Sequence, residues 1–129
     1  MTPDLIYLVL AAILAFVQMV VAVLGCMTQV GLPTLAANRD DVPAQFDGWV
    51  GRAVRAHRNM LENLVLFAIL VLVAQAAGKA NDMTALGAQI FFYGRLAYAV
   101  IYVAGIPWVR TLSWAVSVIG LVLIALELL

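Results

Sequence analysis

Charge, cysteine and histidine are all scarce in this sequence. Charged residues make up only 11% of the 129 positions, and seven Lys and Arg balance seven Asp and Glu. The chain therefore has no strong net charge that would point to nucleic acid or to an acidic partner. The single cysteine, Cys26, excludes an intrachain disulfide and a cysteine-rich metal site, and we expect it to be a small apolar packing residue. The single histidine, His57, has no second ligand beside it, so we expect no metal.

Long apolar stretches take up most of the chain, which is 66% hydrophobic. A soluble core of this size could not bury so much apolar surface. Each stretch is close to the about 20 residues that a helix needs to cross about 30 Å of hydrocarbon. The sequence therefore predicts an all-α integral membrane protein, a single domain over residues 1–129 built as a four-transmembrane-helix bundle. The predicted spans are residues 5–27, 54–77, 83–105 and 108–129.

The connections between the spans differ in length and in the charge beside them. The first, residues 28–49, contains two prolines and two glycines and is predicted to lie outside the membrane. The third is a tight turn in which Pro107 opens the next helix. Basic residues concentrate at the span ends joined by these two connections, whereas the opposite side offers only Lys79. The positive-inside rule predicts that both connections are cytoplasmic and that both termini lie on the opposite side. The basic residues concerned are Arg39, Arg52, Arg55, Arg58 and Arg110.

A polar segment, residues 51–62, opens the second predicted span and carries three arginines, an asparagine and a glutamate into an apolar helix. At a bilayer centre a charged residue costs about 3 kcal/mol unless it finds a partner. At about 100° per residue, four of these side chains fall within roughly 80° of one another, while His57 points elsewhere. Arg58 lies just beside this face and fits two roles, ligand contact or a snorkelling residue that supports the helix. The face must contact protein or water, and it consists of Arg52, Arg55, Asn59 and Glu62.

The third and fourth predicted spans repeat this arrangement. Arg95, Tyr98 and Tyr102 follow one another at i, i+3 and i+7 on a single helical face. Arg110 opens the fourth span and is followed on one face by Ser113, Trp114 and Ser117. In an antiparallel order these faces lie at similar depths in the same leaflet, so we expect them to form one polar site. Its expected members are Arg55, Asn59, Glu62, Arg95, Tyr98, Tyr102 and Arg110.

Such a site has two possible explanations, a structural network or a ligand-binding site, and the chain as a whole also fits one other class of protein. A purely structural network would pair Glu62 with one arginine and use the tyrosines for packing. Five arginines against one nearby glutamate leave positive charge that such a network does not need, which favours an anionic ligand. A small four-helix multidrug exporter matches the length and the number of spans. Such a transporter is expected to hold a carboxylate in its first span, and residues 5–27 contain none.

The sequence resembles a known membrane protein family in all four spans. This is the family of membrane-associated proteins in eicosanoid and glutathione metabolism, which includes microsomal glutathione transferases, leukotriene C synthase and microsomal prostaglandin E synthase. The second-span motif is the specific part, because arginines, an asparagine and a glutamate rarely cluster in a membrane helix by chance. The resemblance lies in Arg55-Ala-His-Arg-Asn59 with Glu62 three residues on, Gly94-Arg95 with Tyr102 downstream, and Arg110 at the next helix start.

The resemblance implies a homotrimer that binds glutathione as a co-substrate in clefts between subunits near the cytoplasmic face. A hydrophobic small molecule or lipid would reach the same cleft from the membrane. The implied activity is conjugation of glutathione to lipophilic electrophiles, reduction of lipid hydroperoxides, or both. Arg110 is expected to stand near the thiol, with Tyr102 as the second catalytic candidate. The expected glutathione-binding residues are Arg52, Arg55, Arg58, Asn59, Glu62, Arg95 and Tyr98.

Glutathione suits a basic site of this composition. It has two carboxylates for arginines to bind, an ammonium group for Glu62, and a thiol whose reactive form is the anion. A free thiol with a pKa near 8.5 is only about 3% ionised at pH 7. A guanidinium beside the sulfur favours the thiolate, and a hundredfold shift of that equilibrium requires about 2.7 kcal/mol.

The sequence departs from the family pattern at three points. It reads Gln29-Val-Gly31 where well-known members end the first span with a basic residue, and the turn before Arg110 is shorter. Trp114 stands where tyrosine is common. Because these changes touch the thiol end of the site, the alternative reading is a family member that has lost catalysis and serves as a structural or ligand-binding membrane protein.

Overall fold

Five helices make up the computed structural model, which describes all 129 residues. Four are long and run antiparallel, and the other is a short helix in the first connection. The all-α fold with four helices long and apolar enough to cross a membrane is therefore confirmed. The helices are α1 (Pro3–Val30), α2 (Leu32–Ala36), α3 (Gly48–Ala76), α4 (Asp82–Ala104) and α5 (Pro107–Leu128).

Local sequence signals set the ends of α4 and the start of α5. The side chain of Asn81 accepts hydrogen bonds from backbone N–H groups at the start of α4, and the Asn81 N–H donates to the Thr84 hydroxyl oxygen, which completes a capping box. The helix ends at Gly105, whose φ of 83° is a left-handed conformation that glycine adopts without steric cost. Pro107 then opens α5 with its φ already suited to a helix.

The first connection is more ordered than a simple loop. It contains α2, and α3 begins at Gly48, six residues before the apolar stretch that starts at position 54. Hydropathy marks the part of a helix that lies in lipid, whereas the helix itself extends through the preceding polar residues. Gln29 ties the two ends of the connection together. Its Nε2 donates to the Asp47 carbonyl at 3.0 Å, and its Oε1 accepts from the Asp47 N–H at 3.4 Å.

The apolar core lies where all four long helices meet. Phe67 of α3 stacks on Phe91 of α4, with ring centroids 4.1 Å apart, and both rings are fully buried. Alanines of α1, such as Ala11, and Ile124 of α5 complete the same cluster. Apart from Met60, which follows Asn59 in α3, this core occupies the half of the bundle away from the predicted polar site.

Small residues bring α4 and α5 into close backbone contact. A Cβ atom added to Gly94 would lie 2.9 Å from the Ser117 nitrogen, and one added to Gly120 would lie 2.5 Å from the Gly87 carbonyl oxygen. Such small-residue seams are typical of helix pairs in membranes, where close packing replaces the hydrophobic effect as the attractive force. The seam fixes how α5 is rotated and positioned against α4.

The outer surface of the bundle is apolar along all four long helices. Large side chains such as Phe16, Val65, Val100 and Leu112 are 58–66% exposed. A surface of this kind is stable in lipid and not in water. The chain is an integral, multi-pass membrane protein.

One end of the bundle carries most of the positive charge. We call it the basic end, and it is defined by Arg39, Arg52, Arg55, Arg58 and Arg110. The opposite end holds Lys79, whose Nζ donates to the Leu128 carbonyl at 3.0 Å.

Candidate functional site

Tyr102 connects three helices at the basic end. The Nε of Arg55, on α3, donates a hydrogen bond to the Tyr102 hydroxyl oxygen at 3.2 Å. On the other side, the Cζ of Arg110, on α5, lies 4.6 Å from the centroid of the Tyr102 ring. This is a cation–π distance, so the ring stabilises one guanidinium through its face while its hydroxyl accepts from another. Residues far apart in the sequence therefore meet at one side chain of α4.

Tyr98 continues this arrangement one turn deeper. Its ring meets the Tyr102 ring edge-on, with centroids 5.4 Å apart. The Cζ of Arg95 lies 4.2 Å from the centroid of the Tyr98 ring. Arg110 and Glu62 also lie within electrostatic range of Tyr98. Along α4 and α5 the order is thus cation, ring, ring, cation, formed by Arg95, Tyr98, Tyr102 and Arg110.

Arg95 is the most unusual member of this group. Its side chain is 1% exposed, and Nε, Nη1 and Nη2 have no hydrogen-bond partner. The Tyr98 ring is the group that faces the charge. A buried guanidinium in lipid surroundings ordinarily binds a carboxylate or backbone carbonyls, because its desolvation is otherwise uncompensated. The site therefore carries positive charge that its own side chains do not neutralise.

A cavity of about 190 Å³ opens beside Arg110. It is lined by Asn59 and Tyr98 together with Arg110, Thr111 and Trp114. The residues come from α3, α4 and α5, so the cavity lies where the three polar faces converge. Typical ligand pockets measure about 300–1,000 Å³, which means that this one accommodates only part of an ordinary small-molecule ligand within a single chain.

The residue pattern of α5 indicated Trp114 as part of the polar face but did not single out Thr111. The signal was present, because residues 110, 111 and 114 share one side of a helix by spacing alone. The Thr111 hydroxyl donates to the Pro107 carbonyl at 3.2 Å and retains its lone pairs as acceptors.

The remaining α3 residues divide between the site and its surroundings. The side-chain Nδ2 of Asn63 donates to the carbonyl oxygen and to Oδ1 of Asn59, at 2.8 and 3.2 Å. These bonds hold the Asn59 amide at the cavity wall. Glu62 is exposed on the membrane-spanning part of α3, in range of Tyr98 but outside the cavity lining.

Arg52 and Arg58 form no hydrogen bond with Tyr98 or Tyr102. The Nε of Arg52 donates to the Val103 carbonyl at 3.0 Å, near the end of α4 and against Gly105. This bond satisfies a carbonyl that the helix itself leaves free. Arg58 is exposed and lines, with Arg55, a second cavity of about 310 Å³ beneath the first connection. Arg55 thus faces both this outer cavity and Tyr102.

The chain is similar to a known protein family over most of its length. A family model described as the MAPEG family matches residues 5–129. No curated protein matches the chain.

Proposed function

The chain belongs to the MAPEG family, the family of membrane-associated proteins in eicosanoid and glutathione metabolism that its sequence resembles. From that premise we propose that it is a glutathione-dependent membrane enzyme. It would conjugate glutathione to lipophilic electrophiles, reduce lipid hydroperoxides, or do both. The observation that carries the proposal is the surplus of positive charge around Tyr98 and Tyr102, above all the unpartnered guanidinium of Arg95. An anionic ligand compensates such a surplus, and glutathione brings two carboxylates.

The arginines and the polar α3 residues would each bind a different part of glutathione. Arg55 lies between the outer cavity and Tyr102, where it is accessible to a carboxylate that enters from the loop side. Glu62 is the acidic residue in range of Tyr98 and suits the ammonium group. Asn59 lines the inner cavity and offers an amide to the peptide backbone.

The inner cavity suits the thiol end of the ligand. Arg110 lines it, and a guanidinium there favours the thiolate by direct electrostatic attraction. The Tyr98 hydroxyl is a further donor at the same cavity. Tyr102 holds Arg110 through its ring, so its contribution includes the position of that guanidinium.

Both proposed reactions begin with the thiolate. In conjugation, its sulfur forms a bond to the electrophilic carbon, and the displaced group leaves with the electron pair of the broken bond. In peroxide reduction, the sulfur attacks the terminal peroxide oxygen, the O–O bond breaks, and the alcohol forms after proton uptake. The resulting glutathione sulfenic acid condenses with a second glutathione to give the disulfide and water. Glutathione is oxidised and the hydroperoxide is reduced, so the electrons balance.

We infer that the working site is completed in a homo-oligomer, with a trimer expected from the family. Two observations support this. The inner cavity is smaller than a tripeptide needs, and the Glu62 carboxylate is exposed on a membrane helix, where contact with lipid is unfavourable. A neighbouring subunit over this face would enlarge the site into a cleft and cover the carboxylate. Native mass spectrometry in mild detergent that detects only monomer would count against this assembly.

Equilibrium binding to detergent-purified protein tests the proposal directly. Glutathione and S-methylglutathione should both bind, because the methyl group leaves the carboxylates and the ammonium unchanged. Only glutathione should develop thiolate ultraviolet absorbance on binding, since the methylated sulfur cannot ionise. Binding of both without thiolate absorbance supports the non-catalytic reading of the family. Absence of binding at millimolar glutathione would refute the proposal.

A further inference from the structure

A third, larger cavity lies at the basic end on the other side of α3. It measures about 480 Å³, within the usual range for small-molecule sites. Its walls come from the second half of α1, from α2 and the chain that follows it, and from the start of α3. Of the thirteen lining residues, eleven are hydrophobic. Along α1 the lining extends from Met27 to Met19, about 12 Å at 1.5 Å per residue.

The two polar lining residues, Arg39 and His57, both carry nitrogen donors. Arg39 has a φ of 67°, which makes it the one non-glycine residue with a left-handed backbone. That conformation is unfavourable for a residue with a Cβ and persists where surrounding contacts enforce it. Here the Nε of Arg39 donates to the Leu35 carbonyl at 2.9 Å, which folds the side chain back over α2. The bond uses Nε and leaves the two terminal nitrogens free to bind an anion.

This cavity is separate from the site around Tyr102. Val54 and His57 line it, and on a helix of about 100° per residue they lie roughly opposite the face of Arg55 and Asn59. Phe46 and Val54 also line the outer cavity beneath the first connection, so these two side chains form the wall between the cavities. A ligand in this cavity would not contact Tyr98 or Tyr102.

We propose that this cavity binds a single-chain amphiphile with a carboxylate head, of the long-chain fatty acid class. The apolar walls take the hydrocarbon chain, and Arg39 at the loop side takes the head in a charge-assisted, bidentate contact. No carboxylate lines the cavity, so nothing within it competes for that guanidinium. Asp40 and Asp41 follow Arg39 directly and oppose the greater charge of a phosphate head. The proposal does not depend on glutathione binding at the other site.

The only cysteine of the chain provides the readout, because Cys26 lines this cavity. The experiment uses the full-length protein in lipid nanodiscs and follows alkylation of Cys26 by N-ethylmaleimide with intact-mass spectrometry. Oleate should slow the reaction about tenfold when present at about ten times its dissociation constant. Methyl oleate has the same chain without the charge and should give little protection. A lysophosphatidic acid of equal chain length tests the phosphate head, and stronger protection by it than by oleate would overturn the choice of a carboxylate.

Three variants separate the head contact from the chain contact. Arg39→Gln should reduce protection by oleate to the level of methyl oleate, whereas Arg39→Lys should keep part of it. Ala36→Phe places a ring in the cavity from α2 and should abolish the protection by oleate. Thermal unfolding of each variant checks that the bundle remains folded. Equal protection by oleate and methyl oleate, or unchanged protection in Arg39→Gln, would overturn the proposal. So would a Cys26 that resists alkylation without ligand, since another subunit would then fill or cover the cavity.

Discussion

The Nε of Arg55 lies 3.2 Å from the hydroxyl oxygen of Tyr102 and donates a hydrogen bond to it across the contact between α3 and α4. The hydroxyl therefore acts as an acceptor toward α3, and its own proton remains available to another partner. Hydrogen bonds in such chains strengthen one another, because a hydroxyl that accepts from a cation becomes a better donor. Tyr102 can thus hold Arg110 by its ring and still donate toward an anion in the site.

Replacing Arg55 tests glutathione binding at this contact. Arg55→Ala should weaken glutathione binding by about tenfold to a hundredfold, since a charge-assisted hydrogen bond contributes about 1.5–3 kcal/mol. Isothermal titration on purified protein measures the change. Lys79→Ala, at the opposite end of the bundle, is the matched loss of one positive charge and should leave binding unchanged. Equal losses in both variants would indicate a general effect of net charge.

Replacing Arg110 should affect the thiol more than binding. Arg110→Leu should leave the dissociation constant within a few-fold, raise the pKa of bound glutathione, and lower turnover by roughly 10- to 100-fold, which corresponds to about 1.4–2.7 kcal/mol. A pH titration of thiolate absorbance on parent and variant reads the pKa directly. Arg110→Lys retains the charge and should recover part of the activity. If the leucine variant keeps the parental thiol pKa and rate, Tyr98 or Tyr102 becomes the candidate for activation.

Arg95 should reduce stability in the absence of ligand. Its guanidinium is buried without hydrogen-bond partners, so Arg95→Met should raise the melting temperature of the ligand-free protein or leave it unchanged. The same variant should lose the rise in melting temperature that glutathione gives the parent through binding to the folded state. Thermal unfolding in detergent, with and without glutathione, measures both effects. A marked drop in ligand-free stability would mean that Arg95 has a partner in the assembled protein.

The small-residue seam between α4 and α5 should tolerate no added atom. Gly94→Ala places a Cβ 2.9 Å from the Ser117 nitrogen, and relief requires the two helices to separate. We expect a loss of about 1–3 kcal/mol of stability, as for other overpacked contacts. Ala12→Leu adds a larger group to the exposed face of α1 and serves as the control in the same unfolding assay. Equal stability of Gly94→Ala and the parent would show that the helix pair can separate freely.

The positive-inside rule makes a prediction of sidedness that labelling can test. In a Cys26→Ala background, a cysteine at position 80 should react with a membrane-impermeant maleimide in intact cells. A cysteine at position 40 should react only after permeabilisation. The reverse pattern would invert the topology and place the basic end outside the cytoplasm.

The sequence determined the number of membrane helices and the concentration of arginines at one end, and its residue pattern was enough to indicate the family. Hydropathy over about 20 residues reports burial in lipid without reference to tertiary contacts, because each membrane helix satisfies its own backbone hydrogen bonds. Helical periodicity likewise fixed which side chains share a face within one helix, as for Tyr98 and Tyr102. The start of α3 could not be predicted from hydropathy, because the helix begins in polar sequence.

Only the tertiary structure decided which polar side chains meet. Periodicity gives directions within one helix, but the rotation and depth of each helix against its neighbours depend on packing, here on seams such as Gly94 against Ser117. That packing places Arg55 on the Tyr102 hydroxyl, whereas Arg52, three residues away on the same predicted face, is drawn to the Val103 carbonyl. It also buries Arg95 without a hydrogen-bond partner, which no sequence pattern could indicate, because burial depends on what the other helices place around a side chain.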